Sequence, residues 1–211
     1  RKQLVLGLIG ASSRPRLARL DLSGIGLSHL ALGYAILSRS DLIGTDLTRT
    51  DLMGAELIYA NLSNALLQMA NLSNADLTKA ELRFAKLGKA DLIWACLRKA
   101  NLASANLTEA DLTNADLGEA DLKETNLTKA ILRNANLEGA NLTRACLVDA
   151  DLTNANLSRA VLANADLSGA DLTNCNLEGT QITAMQMARA VSTKGAQNID
   201  DKGIHPVDVI T

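Results

Sequence analysis

Leucine stands at every fifth position from Leu17 to Leu177, 33 in succession, with no insertion or deletion. Ile182 and Met187 extend the beat with other apolar residues. From Leu37 on, the residue two before each of these leucines is small. From Ala35 to Cys175 alanine fills 24 of 29 such sites, and Ser40, Thr45, Thr50, Thr125 and Cys175 fill the rest. Asp or Asn usually stands between the small residue and the leucine, and the two residues after the leucine vary.

A period of five suits no helix. At about 100° per residue, five residues leave successive leucines about 140° apart, and no apolar stripe forms. A straight strand fails for another reason. Ala and Leu, two apart, share a face, but an odd period would put the next leucine on the opposite one. Both conditions hold if the chain turns a corner once per repeat, with Ala-x-Leu as a short extended side. The variable pair then makes the corner, where Gly, Asn, Ser and Thr supply turn chemistry. A chain turning at every repeat closes into coils, and coils stack into a solenoid.

These residues strongly resemble the pentapeptide-repeat family, whose motif is A(D/N)LXX; the match runs from Leu17 to Met187. The resemblance implies an all-β fold, a right-handed quadrilateral β-helix with four repeats per coil. The leucine and the small residue line its interior. About 8 coils, stacked about 4.8 Å apart, would make a rod on the order of 40 Å long. In the stretch from Ala110 to Leu122, Leu112, Leu117 and Leu122 are expected inside, with Ala110, Ala115 and Ala120 giving them room. Outer Asp and Asn can hydrogen-bond the corners and their stacked neighbours.

The ends depart from the motif. Residues 1–16 are expected as an N-terminal cap with a short helix before Pro15, and 17–187 as the β-helix. The large inner residues Leu20, Ile25 and Leu30 suit an end plugged by that cap. Residues 183–211 are expected as a C-terminal helical cap and tail. Thr183–Val191 reads as a short amphipathic helix offering Met185, Met187 and Val191 to the last coil, and 192–211 as a loose tail. The chain begins at Arg1 rather than Met, so an upstream segment is expected to have been removed, by processing or by truncation of the expressed sequence, with a signal or transit peptide as one alternative.

Composition narrows the function. Hydrophobic residues make up 47% and aromatics 2%, so the core is aliphatic. Net charge is −2. It divides into +4 over residues 1–110 (13 Lys/Arg, 9 Asp/Glu) and −6 over residues 111–211 (8 and 14). Neither value makes nucleic acid an expected partner. Cys96, Cys146 and Cys175 have no disulfide or zinc spacing, and Cys96 and Cys146 fall on opposite faces about 12 Å apart along the axis. Cys175 replaces alanine inside. His29 at a corner and His205 near the C-terminus have no ligand neighbours. No nucleophile motif, phosphate loop or membrane-length apolar run appears. The column Asp51, Asn71, Asp91, Asp111, Ile131, Asp151 and Asp171 is the most acidic strip, and reads as a solvated ladder. Six Asn-Leu-Ser/Thr sequons are by-products of the motif.

The chain is therefore expected to be a non-catalytic scaffold, without cofactor or metal, binding an unidentified protein partner. Outward apolar residues concentrate in the first half. Tyr34, Ile36, Met53, Ile58, Tyr59, Ile93 and Trp94 are the candidate partner surface, clustered at one end and one corner; Leu66, Met69 and Phe84 are further outward apolar positions. A monomer or weak dimer in the cytoplasm is expected, or the periplasm or thylakoid lumen if a signal or transit peptide preceded Arg1. Long A(D/N)LXX proteins of this kind resemble those abundant in cyanobacteria. The alternative is a DNA mimic, since some family members bind DNA gyrase and protect it from quinolones or toxins. Those commonly carry central Phe and a strongly acidic surface, which this chain lacks.

Overall fold

A computed structural model of the chain describes residues 2–197. Arg1 and residues 198–211, including His205 and most of the expected tail, lie outside the described residues. The repeat folds as a square β-helix. Parallel bridges join each residue preceding a central leucine to its equivalent 20 residues on, from Arg16 with Ile36 to Val161 with Gln181. Every central leucine from Leu17 to Leu177 is buried.

The repeat Ala110–Asn114 shows why five residues suffice. The Asp111 N–H donates to Ala90 O of the preceding coil (3.0 Å). Leu112 and Asn114 donate to Ile131 O (2.7 Å) and Arg133 O (2.8 Å) of the following one. Ala110 N–H closes the previous corner on Leu107 O (3.0 Å). Only the first corner residue, Thr113, lacks a main-chain acceptor; its N–H goes to Asp111 Oδ1 (2.9 Å). Every backbone donor is thus paired, which a buried ladder requires. The Asp/Asn preference follows, because only a short side chain ending in an acceptor reaches two residues ahead. The same bond recurs from Ser73 N–H to Asn71 Oδ1 and from Thr143 N–H to Asn141 Oδ1.

Each central leucine carbonyl except that of Leu27 accepts from the N–H three residues on, as Leu112 does from Ala115 (3.0 Å), which makes these corners β-turns. The second corner residue takes positive φ at every repeat from Arg19 to Gly179. Gly and Asn are at ease there. Lys, Arg, Glu and five aromatic or thioether side chains adopt it because the stacked ladders leave no other path.

Inside, Ala110, Ala115, Ala120, Leu112, Leu117 and Leu122 are at most 1% exposed. Where the small residue is polar, its group finds an acceptor. Thr45, Thr50 and Thr125 donate to Leu22 O, Leu27 O and Leu102 O, each at 2.8 Å. Cys175 Sγ lies 3.0 Å from Leu152 O.

The helix α1 (Lys2–Gly10) covers the first coil. Val5 joins the core, and Ile9 packs there with Leu20 and Leu30. The helix α2 (Ala184–Arg189) replaces one side of the last coil. Thr183 caps it, and Thr183 and Gln186 form a capping box. The outcome at α2 differs from the sequence expectation. Met187 packs against the core, but Met185 and Val191 are 57% and 71% exposed. The residue that turns inward is Gln186. Its Nε2 donates to Leu162 O (2.6 Å) and Ala165 O (3.0 Å). One coil earlier, Ala145 O receives the Asp166 N–H (2.9 Å). Where a helix takes the strand's place, a side-chain amide must satisfy these carbonyls, and a methionine cannot. Residues 192–197 are also not a tail. They rejoin the coil with bridges from Asp171 to Ser192 and Asn176 to Gln197, shifted by the one residue that the helix inserts.

Candidate interaction surface

The 20-residue register sorts the outward apolar residues onto different edges of the square. The first edge carries Tyr34, Gly54, Asn74 and Trp94 in successive coils; the second carries Arg19, Arg39, Tyr59 and Lys79. Phe84 stands on the third edge and Met69 on the fourth. Tyr34, Tyr59, Phe84 and Trp94 are each about half exposed or more. Ile36, Met53, Ile58 and Ile93 are half-buried. The aromatic residues therefore climb around the rod rather than gathering at one corner, because 25-residue spacings (34, 59, 84) advance one coil and one side together.

On the first edge the Tyr34 N–H donates to Met53 O (2.7 Å), and the ring lies on Gly54. A Cβ at Gly54 would meet that ring at 2.6 Å, and φ is +63° there. Only glycine meets both conditions. Ile93 and Trp94 follow two coils further, about 10 Å along the axis, behind the polar pair Ser73 and Asn74. Toward the second edge Arg14 crosses the face. It ion-pairs with Glu56 and donates to Tyr34 O (3.3 Å) beside Ile36. The seven candidate residues thus form two apolar groups, Tyr34–Ile36–Met53 and Ile93–Trp94, with Ile58–Tyr59 on the neighbouring edge.

Tyr59 has an environment that hydropathy does not register. The Arg39 guanidinium and the Lys79 ammonium lie 5.3 and 5.1 Å from its ring centroid. Lys79 Nζ also donates to Tyr59 Oη (2.8 Å). This hydrogen bond, reinforced by the Lys79 and Arg39 charges, holds the phenol below its ordinary pKa. An ammonium favours the phenolate, so removing it raises the pKa. With two tyrosines in the chain, ultraviolet titration should show an early phenolate component that moves to higher pH in Lys79→Met. An unchanged curve would contradict the contact. The spacing of 39, 59 and 79 was a sequence signal for this cluster, readable once the register is known.

Toward the C-terminus charges pair between coils. Lys99 and Arg98 meet Glu119 (3.2 and 3.3 Å), Arg144 meets Glu124 (3.4 Å), and Arg159 meets Glu138 (3.3 Å). Arg98, Glu119, Glu138, Gly139 and Arg159 line a hollow of about 210 Å³. Another of about 350 Å³ lies beside α2, between Asp166 and Arg189. The acidic column stacks as a ladder whose aspartates accept the corner N–H groups of Met53, Ile93, Thr113, Thr153 and Thr173. Such carboxylates are committed to the turns.

Among the described residues no catalytic constellation assembles. Burial pushes the Cys175 thiol up to about 12, leaving it an inert filler of the tube. Cys96 and Cys146 are free thiols, each near a threonine hydroxyl one coil away. His29 is an exposed corner residue at φ +62°. Among the described residues no group of three or more His, Cys, Asp or Glu could hold a metal ion. None of their helices is long and apolar enough to cross a membrane.

Comparison with known proteins matches this architecture. The family model for pentapeptide repeats fits in 8 copies, over segments running from residue 21 to residue 179. Among solved structures the chain is similar to HetL, a pentapeptide repeat protein involved in heterocyst differentiation regulation from the cyanobacterium Nostoc sp. strain PCC 7120. The two are 33% identical over 91% of this chain and 92% of HetL, with a TM-score of 0.55. A trypsin-treated form of QnrB1, a plasmid-mediated fluoroquinolone resistance protein, aligns at 19% identity over 86% of this chain and 90% of its own, with a TM-score of 0.61. That identity speaks for the fold alone. No curated protein matches the chain in sequence. With the family motif spanning most of its length and a relative one-third identical, the chain belongs to the pentapeptide-repeat family.

Proposed function

We propose that the chain is a non-catalytic interaction scaffold: a right-handed rod of about eight coils, capped at its ends by α1 and α2, that binds a protein partner. Its docking region comprises Tyr34, Ile36, Met53, Ile58, Tyr59, Ile93 and Trp94. One observation carries this reading. Among the described residues, the half-exposed aromatic side chains all lie between positions 34 and 94. Large rigid side chains held out on a stiff backbone give contact area at small entropic cost, as interface anchors do. The free cysteines suit a reducing compartment, so a cytoplasmic monomer or weak dimer fits best.

Affinity capture from a native extract tests the proposal, comparing wild type with Tyr59→Ala/Trp94→Glu. Loss of at least one specific partner from the variant is expected, with the melting curve unchanged. Identical partner sets would defeat the assignment. A gyrase supercoiling assay with stoichiometric protein serves as the contrasting arm, and no effect is expected. The near-neutral net charge, with aspartates spent on turns, does not imitate a polyanion.

A further inference from the structure

We propose that the second edge, from Arg19 to Lys79, is a cationic ridge that docks an extended acidic segment of a protein partner. The inference rests on the scaffold reading and names the chemistry of what it binds. Arg19, Arg39, Tyr59 and Lys79 occupy equivalent corner positions in four consecutive coils, all with φ between +57° and +61°. Identical backbone geometry points the four side chains outward in a row. With coils about 4.8 Å apart the row is about 14 Å long, the length of about four extended residues.

Among the described residues the charge along this row is not neutralised by an ion pair. Further along the same edge, Lys99 pairs with Glu119, and Arg159 pairs with Glu138 on the residue beside it. None of the ion pairs among the described residues includes Arg19, Arg39 or Lys79. Nearby carboxylates are engaged elsewhere. Glu56 holds Arg14, Glu81 accepts from Asn101, and Asp41 and Asp76 accept the N–H groups of Ile43 and Thr78. Like charges stacked in register repel, so such a row lowers the stability of the free protein. Elsewhere this sequence places an acid in the gap; here it places a tyrosine.

That tyrosine selects among anions. Arg39, one coil before it, and Lys79, one coil after, lie 5.3 and 5.1 Å from its ring centroid. Because Lys79 donates to the phenol oxygen, the phenol O–H is left to donate outward. The ridge therefore offers two guanidiniums, one hydroxyl and one ammonium in line, a set of donors matched to successive carboxylates. Apolar Ile58 beside Tyr59 supplies contact for the stem of such side chains.

The test uses fluorescence anisotropy of a labelled ten-residue polyglutamate peptide, with a ten-residue oligothymidylate and vesicles of mixed neutral and anionic lipid as competing probes. Wild type should bind the peptide in a salt-sensitive manner and prefer it to both. Arg39→Glu/Lys79→Glu should weaken peptide binding at least tenfold. The charge-matched Lys123→Glu/Lys129→Glu, in the later coils, should change it less than twofold, and Arg39→Gln/Lys79→Gln should lie between. Equal losses in the two reversal variants, no loss in the ridge variant, or preferred binding of the oligonucleotide or vesicles would each overturn the ridge. If the ridge fails while Trp94→Glu alone still abolishes partner capture, the scaffold reading stands without it.

Discussion

Ala115→Phe should destabilise the protein by about 3 kcal/mol or more, the upper end of what overpacking a core costs. Ala115 is 1% exposed in the middle of the rod. Its N–H is tied to Leu112 O (3.0 Å), and its carbonyl receives the Asn136 N–H of the next coil (2.9 Å). The strand cannot bow outward without losing both, and the coils above and below bring their own alanines, Ala95 and Ala135, to the same position. At the rod's start the equivalent sites hold Leu20, Ile25 and Leu30, because there α1 closes the tube instead of another coil. The same substitution type near that end, Ala35→Leu, should therefore be milder. Urea unfolding followed by circular dichroism measures both. A mid-rod loss under 1 kcal/mol would refute the narrow-tube account.

Leu117→Ala should cost about 3–5 kcal/mol, in the upper part of the range for a buried leucine. The reason lies in how little the site can relax. Leu117 is fully buried, and its N–H is fixed to Asn136 O (2.7 Å). A globular core can shift whole elements to fill a cavity, but here each side is locked to its neighbours at every repeat. The cavity should also break cooperativity. In a stacked array each coil contacts only adjacent ones, so a mid-rod defect lets the halves unfold apart, and the apparent urea m-value should fall. A loss below 1.5 kcal/mol with an unchanged m-value would show that the rod adjusts as a continuous body.

Outside the leucine interior, amide ladders lend stiffness. Asn136 donates to Asp116 (2.9 Å), Asn156 to Asn136 and Asn176 to Asn156 (both 3.1 Å), one rung per coil. Such rungs compete with no turn, because each Asn Oδ1 still accepts a corner N–H, as Asn156 does from Ser158 (3.1 Å). In the corner row of the first edge Asn134 donates to Asn114 and Asn174 to Asn154 (both 3.1 Å), and nearer the start of the rod Tyr34 and Trp94 hold equivalent positions in that row.

What the sequence determined by itself is the inside. The five-residue beat told which side chains are buried, that each repeat turns a corner, and that Thr125 and Cys175 stand in for alanine, because burial in a narrow tube is decided by the size and polarity of each residue where it stands. The stacking distance of 20 residues came through the family resemblance, and only the tertiary structure decided what it brings together. It placed Arg39 and Lys79 on either side of Tyr59, put Tyr34 on Gly54, and spread the aromatic residues over three edges. It also turned Gln186 inward in place of Met185, since the open carbonyls of Leu162 and Ala165 exist only once a helix has displaced a strand. Those pairings join residues far apart in the chain, and each depends on the closure of a whole coil rather than on any five residues within it.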